Sequence, residues 1–244
     1  MTDPHATLSQ LEYLKLDGMA QAYRDQLNVA PPNQCDPHEL VALLADTEYL
    51  HRSSQRTAIY LKISKLRYDA VFEQVDCSAE RNLTRQQLNA LSDGSFIKRA
   101  ENVLITGATG CGNSYLACAI GRNACMHGIK TLYLGMNRFV ERVNLAKLDG
   151  SFIKMLNMID KIPLVILDDF GLAPMDHNTR LAILQMLEDR YGRKSTIIAS
   201  QLPLSKWHQV IDEPTLADAI MDRLSASAHR IELKGPSKRQ QKSK

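Results

Sequence analysis

Val103-Leu-Ile-Thr-Gly107-Ala-Thr-Gly-Cys-Gly-Asn-Ser114 is the stretch that decides the fold. A short apolar run enters a glycine-rich turn, and a helical pattern follows through about His127. The turn matches G-x-x-x-x-G-K-[ST] at every fixed position but one. Glycines there let backbone N–H groups converge on phosphates, and the following helix adds its positive end. Gly107, Ala108, Thr109, Gly110, Cys111, Gly112, Asn113, Ser114 and Tyr115 are therefore the candidate nucleotide-binding residues, with Ser114 a candidate Mg²⁺ ligand. Where the pattern wants lysine, an extended cation on the β- and γ-phosphates, the chain has the shorter, neutral Asn113. Losing one charge-assisted hydrogen bond to phosphate costs roughly 1.5–3 kcal/mol, about one to two decades of affinity. The cost to hydrolysis is larger, because that lysine also neutralises charge in the transition state.

A glycine-rich loop alone is weak evidence, and its surroundings strengthen it. Leu164-Val-Ile-Leu-Asp-Asp169 is an apolar strand ending in two carboxylates, the Walker B pattern. Asp168 would anchor Mg²⁺ and Asp169 would orient or activate water. A loop cap is the plain alternative for Asp-Asp. Ser195–Ser200 reads as the next strand, and Gln201 at its end would sense the γ-phosphate; a strand-end cap is the alternative. Arg223, in Met221-Asp-Arg-Leu224, is either a surface arginine or a finger reaching into a neighbouring subunit.

Short apolar strands are expected at Asn102–Thr106, Thr131–Leu134, Leu164–Asp168, Thr196–Ser200 and Arg230–Leu233. Helical patterns separate the first four, the signature of an α/β fold with a parallel sheet covered by helices. Upstream, the chain reads as a small all-α domain. Leu8, Leu11, Leu14, Met19, Tyr23 and Leu27 suit one or two helices before the breaker Pro31-Pro32. Asp36-Pro37-His38-Glu39 then opens another. The run Arg56–Gln74 reads as a cationic helix, a solvated face or a dock for an acidic partner or DNA. A polar connector follows, then a short helix opened by Thr84. The expected division is a helical partner or oligomerisation domain at 1–75, a linker at 76–98, the ATPase domain at 99–234 and a basic tail at 235–244.

Composition sets outer bounds. The 244 residues hold 44% hydrophobic and 23% charged residues, ordinary for a soluble chain, and no apolar run approaches the ~18 residues of a membrane span. No secretory pattern opens the sequence, so a cytoplasmic protein with no membrane partner is expected. The five cysteines include no CxxC pair, and Cys118 and Cys125 fall on one helical face as core residues. The net charge of +3 is mild, but Lys234, Lys238, Arg239, Lys242 and Lys244 crowd the last residues with no acid among them. Such a tail is equally compatible with nucleic acid and with no partner.

With these pieces placed, the chain resembles the IstB family of transposition helper ATPases, of the AAA+ P-loop superfamily and related to DnaC helicase loaders. The resemblance spans nearly the whole chain. It rests on Leu14-Lys-Leu-Asp-Gly-Met19, Leu66-Arg67, Phe96-Ile97, Ala100-Glu-Asn-Val-Leu104, Ser114-Tyr-Leu-Ala-Cys-Ala119, Leu167-Asp-Asp-Phe-Gly171, Ser200-Gln-Leu-Pro203 with Trp207-His208, and Arg230-Ile-Glu-Leu-Lys-Gly235. It implies an ATP- and Mg²⁺-dependent ATPase that forms an oligomer on double-stranded DNA and recruits or stimulates its element's transposase. It also implies a DNA-facing helical insertion after the second strand, here Asn137–Lys161, with Arg138, Arg142, Lys147 and Lys154 as phosphate contacts. Asn113 departs from that pattern and counts against hydrolysis. Two other readings stand beside it, a nucleotide-independent DNA-binding adaptor and a DnaC-like loader of a replicative helicase.

Overall fold

Residues 3–30 and 34–238 are described by the structure, a computed structural model. Pro31-Pro32 and the basic residues Arg239, Lys242 and Lys244 lie outside the described residues. The chain divides into two units, Met1–Ile59 and Tyr60–Lys244.

The second unit is built on strands β1 (Asn102–Gly107), β2 (Thr131–Gly135), β3 (Leu164–Asp168), β4 (Ser195–Ser200) and β5 (Ala228–Leu233). They form one parallel sheet in the order β2-β3-β4-β1-β5. Alternation along each strand splits the core into two layers, because successive side chains leave opposite faces. On β3, Leu164 and Ile166 pack with Leu116, Ala117 and Ile120 of α6 (Asn113–Met126). Val165 and Leu167 pack on the other face against α7 (Met136–Leu148), α8 (Phe152–Asp160), α9 (His177–Arg190), α10 (Trp207–Ile211) and α11 (Pro214–Ser225). Cys118 and Cys125 are fully buried on α6; burial pushes the Cys118 thiol up to about 11, so it packs as a small apolar group.

The unit boundary falls before residue 75, and the region expected as a linker belongs to this core. Ala70, Val75, Leu83, Leu88, Leu91 and Phe96 are buried in the α6 layer. They sit in irregular chain and in two short helices, α4 (Arg85–Asn89) and α5 (Ser95–Lys98), where no long period exposes a buried face. Thr84 and Gln87 do form the capping box that starts α4. The cationic run beginning at Arg56 is also divided differently. Helix α3 is continuous over Pro37–Ser64, Lys65 takes a left-handed φ of 55°, and only the single turn Phe72–Gln74 is helical beyond it.

The first unit contains α1 (Pro4–Tyr13), α2 (Asp17–Leu27) and the start of α3. Asp36 opens α3 by accepting from the amides of His38 (2.8 Å) and Glu39 (2.9 Å), and Glu39 returns a contact to the Asp36 amide at 3.2 Å. Gly18 lets α2 lie against α3, since a Cβ there would stand 2.7 Å from the Glu48 backbone. The buried Glu48 carboxylate accepts from the Gly18 amide (2.8 Å) and the Met19 amide (3.1 Å) at the start of α2. Burial raises its pKa, but Arg52 and those two amides outweigh it and hold the group below 4.5. A depressed carboxylate contributes stability above its unfolded pKa and loses it as pH falls through the folded value. Glu48→Gln should therefore cost about 1–3 kcal/mol at neutral pH. The gap to the parent should close below about pH 4.5, as read by urea unfolding with circular dichroism at both pH values.

Candidate functional site

Strand order determines what meets at the carboxyl edge of the sheet. β4 lies between β1 and β3, so the glycine loop, Asp168-Asp169 and Ser200-Gln201 emerge side by side. That edge is where parallel sheets hold ligands. A cavity of about 600 Å³ opens there, in the size range of small-molecule sites. Gly110 to Tyr115 form one wall; Tyr68, Val75, Leu83 and Leu233 give it an apolar end, and Asp168, Asp169 and Gln201 a polar one.

Asp168 is the most constrained group. It is 1% exposed, and its two oxygens accept from the Ser114 hydroxyl (3.0 Å), the Tyr133 hydroxyl (2.5 Å) and the Asp169 amide (2.9 Å). Burial, reinforced by Asp168, keeps the Tyr133 phenol far above its usual pKa, so it stays a donor. Asp169 has a left-handed φ of 59°, an unusual conformation for a non-glycine residue and one that clusters at functional sites. Its carboxylate lies 3.1 Å from Arg67 Nη1 and accepts from Gln201 Nε2 at 3.4 Å. Gln201 Oε1 in turn accepts from the Thr109 hydroxyl at 2.5 Å. A polar chain thus runs from the glycine loop through Gln201 to Asp169.

Gly112 takes φ 99°, a conformation that disfavours side chains, immediately before α6 begins at Asn113. The Asn113 side chain is turned toward the strand ends. Its Nδ2 donates to Gly107 O (2.5 Å) and Ser200 O (3.0 Å), while its Oδ1 is buried without a hydrogen-bond partner among the described residues. The loop therefore presents amides and a helix start but no cation from position 113. Ser114 Oγ and Asp168 Oδ1 are adjacent oxygen donors of the kind Mg²⁺ takes, so this pair fits the metal. Asn113 does not fit the phosphate-gripping role of the pattern's lysine.

The remaining expected residues stand apart from the cavity. Arg138 and Arg142 on α7 and Lys154 on α8 are exposed. Lys147 is exposed too but donates to Asn178 at 2.6 Å and lies over the Phe152 ring. Arg223 is not brought to its own chain's site. Its carbonyl accepts from Asn102 at the opposite end of β1, and its guanidinium pairs with Glu188. Tyr133 and Arg67, which contact the two acids, are among the residues at the site that the motifs give no role. Tyr133 carries a weak signal, as the one aromatic in an aliphatic strand. Leu66-Arg67 belongs to the family resemblance, but only the fold brings the guanidinium to Asp169. Tyr133→Phe should leave Asp168 short of a donor and lower stability by about 1–2 kcal/mol, read as a shifted urea midpoint with unchanged slope.

Known proteins resemble this chain along its length. It is 42% identical to an insertion sequence ATP-binding protein of Sinorhizobium fredii, over 96% of both chains. It is 39% identical to the ATP-binding protein of insertion sequence IS1162 from Pseudomonas fluorescens, over 82% of this chain and 87% of that one. Among solved structures, DnaI superposes with a TM-score of 0.59 at 19% identity, over 68% of this chain and 92% of that one. The replication initiator DnaA bound to AMPPCP and single-stranded DNA superposes at 0.58 and 19% identity, over 70% of this chain and about half of DnaA, 52%. These two likenesses are of fold, that of the AAA+ P-loop ATPases. No helix among the described residues is long and apolar enough to cross a membrane. The model described as IstB-like ATP binding protein matches residues 9–244, and the chain belongs to that family.

Proposed function

We propose that this chain is an ATP-controlled helper of an insertion sequence, which assembles on double-stranded DNA and recruits or stimulates the transposase of its element. The observation that carries the reading is the polar chain from Thr109 through Gln201 to Asp169, beside the Ser114–Asp168 pair. It links the glycine loop to the second acid, as an ATP-responsive switch requires. Ser114 and Asp168 would hold Mg²⁺, which would neutralise phosphate charge. Asp169, oriented by Gln201, would position the attacking water. Arg223, which lies at the opposite end of β1 from its own site and pairs with Glu188, would act in a neighbouring copy's site. In the helical unit, Tyr13, Val41, Tyr49 and Leu50 are exposed, which supports a role in docking a protein partner. Arg138, Arg142 and Lys154 would meet the DNA backbone.

A second reading, a nucleotide-independent DNA-binding adaptor, is favoured by one specific observation. Asn113 spends its donors on Gly107 and Ser200 and brings no charge to the loop.

One substitution separates the two. Asn113→Lys should tighten binding of a fluorescent ATP analogue about 10- to 100-fold. It should also make assembly on duplex DNA, followed by sedimentation and electron microscopy, depend on nucleotide. If both proteins stay monomeric on DNA with ATP, the helper reading is lost. Equal DNA affinity with and without ATP in both would establish the adaptor. In the Asn113→Lys background, Asp169→Asn should lower the hydrolysis rate at least tenfold while ATP affinity changes little. Replacing Arg138, Arg142 and Lys154 together by alanine should weaken duplex binding regardless of sequence and flatten its salt dependence by about 3 in log–log slope.

A further inference from the structure

A phosphate loop aims its amides at the ligand, so its carbonyls point outward and need partners of their own. Gly107 O and Ala108 O are met within the motif, by Asn113 and the Cys111 amide, but the partners of Gly110 O and Cys111 O come from two segments outside it. Gly110 O accepts from the Lys238 amide at 3.1 Å. Cys111 O accepts from the Arg81 guanidinium, and the Cys111 thiol donates to Gly235 O at 3.1 Å. Arg81 is itself buried, at 7% exposure, and it binds the C-terminal segment as well as the loop. Its Nη1 donates to Pro236 O at 3.4 Å, and its carbonyl accepts from the Lys234 amide at 3.1 Å. Lys238 Nζ closes the arrangement on Asp76 at 2.9 Å. The fit against the loop is tight. Gly110 has φ 84°, and a Cβ there would lie 2.1 Å from Ser237 Oγ and 3.1 Å from Ser237 Cα.

Gly235–Lys238 is therefore a strap laid against the phosphate loop, with Arg81 wedged between them, and Arg81 and Lys238 also line the cavity. We propose that Arg81 and this strap position the phosphate loop, so that nucleotide binding and strap docking are linked. Arg81 positions the loop through the Cys111 carbonyl and also lines the cavity, whereas Ser237 does not line it, so Ser237→Trp tests the strap apart from any direct contact with the ligand. The inference rests on the reading that this loop binds nucleotide. A nucleotide needs the loop in the shape that the strap supports, so each favours the other by the same factor. The strap leads directly into Arg239, Lys242 and Lys244.

The test uses the full chain carrying Asn113→Lys, with a fluorescent ATP analogue as the probe and tryptic cleavage after Lys234, followed by mass spectrometry, as the reciprocal readout. Nucleotide should slow that cleavage at least fivefold. Arg81→Met should weaken nucleotide binding about tenfold and abolish the protection, and Arg81→Lys should recover part of both. Ser237→Trp, too large to lie against Gly110, should reproduce the loss from a half-buried position outside the hydrophobic core. A circular dichroism spectrum matching the parent guards against misfolding. Unchanged affinity in both Arg81→Met and Ser237→Trp would overturn the proposal, and so would cleavage indifferent to nucleotide. In either case the nucleotide-binding reading stands. Absence of binding in the parent itself would remove the reading and the proposal together.

Discussion

One buried carboxylate organises the site. Asp168 lies at the end of β3, shut off from water, and such a group is tolerated only where donors satisfy it. Its donors come from the start of α6, from β2 and from its own successor. Each of those elements must be in register for the three bonds to form. The parallel order with β4 in the middle supplies that register and brings Gln201 to the same edge. The architecture of the core and the chemistry at its rim are therefore one constraint, stated once in the sheet and once in the hydrogen bonds.

Around that centre the cations are distributed unusually. The glycine loop has none at position 113, whereas Arg67 stands beside Asp169 and Arg81 binds the Cys111 carbonyl and lines the cavity. Both arginines belong to the stretch between α3 and β1, where the residue pattern predicts a cationic helix for Arg67 and a linker for Arg81. Its packing into the α6 layer makes that stretch part of the α/β core, and its two arginines reach Asp169 and the Cys111 carbonyl.

Much of this was legible in the residues. The strands announced themselves by short apolar runs, and the loop and Asp168-Asp169 by motif. Both caps, at Asp36 and Thr84, formed as their side chains dictate. What could not be read was long-range placement. Nothing in Leu66-Arg67 tells that the guanidinium finds Asp169, and nothing in Gly235-Pro-Ser-Lys238 tells that it covers Gly110. The length of α3 was missed because its apolar residues, Val41 and Leu50 among them, are largely exposed and give no clear inward face. Asn113 shows in the sequence as a neutral residue where the pattern wants lysine, but its role tying two strand ends together needs the third dimension.

That role sets two demands on position 113 against each other. The amide now satisfies carbonyls at the ends of β1 and β4. A lysine extended toward phosphate would leave those carbonyls to find other donors, at a cost of about 1–3 kcal/mol for each that stays dry. Asn113→Lys would thus trade rigidity at the edge of the sheet for charge in the loop. Donors for two strand ends and a cation for a ligand are demands that one side chain at position 113 cannot meet at once.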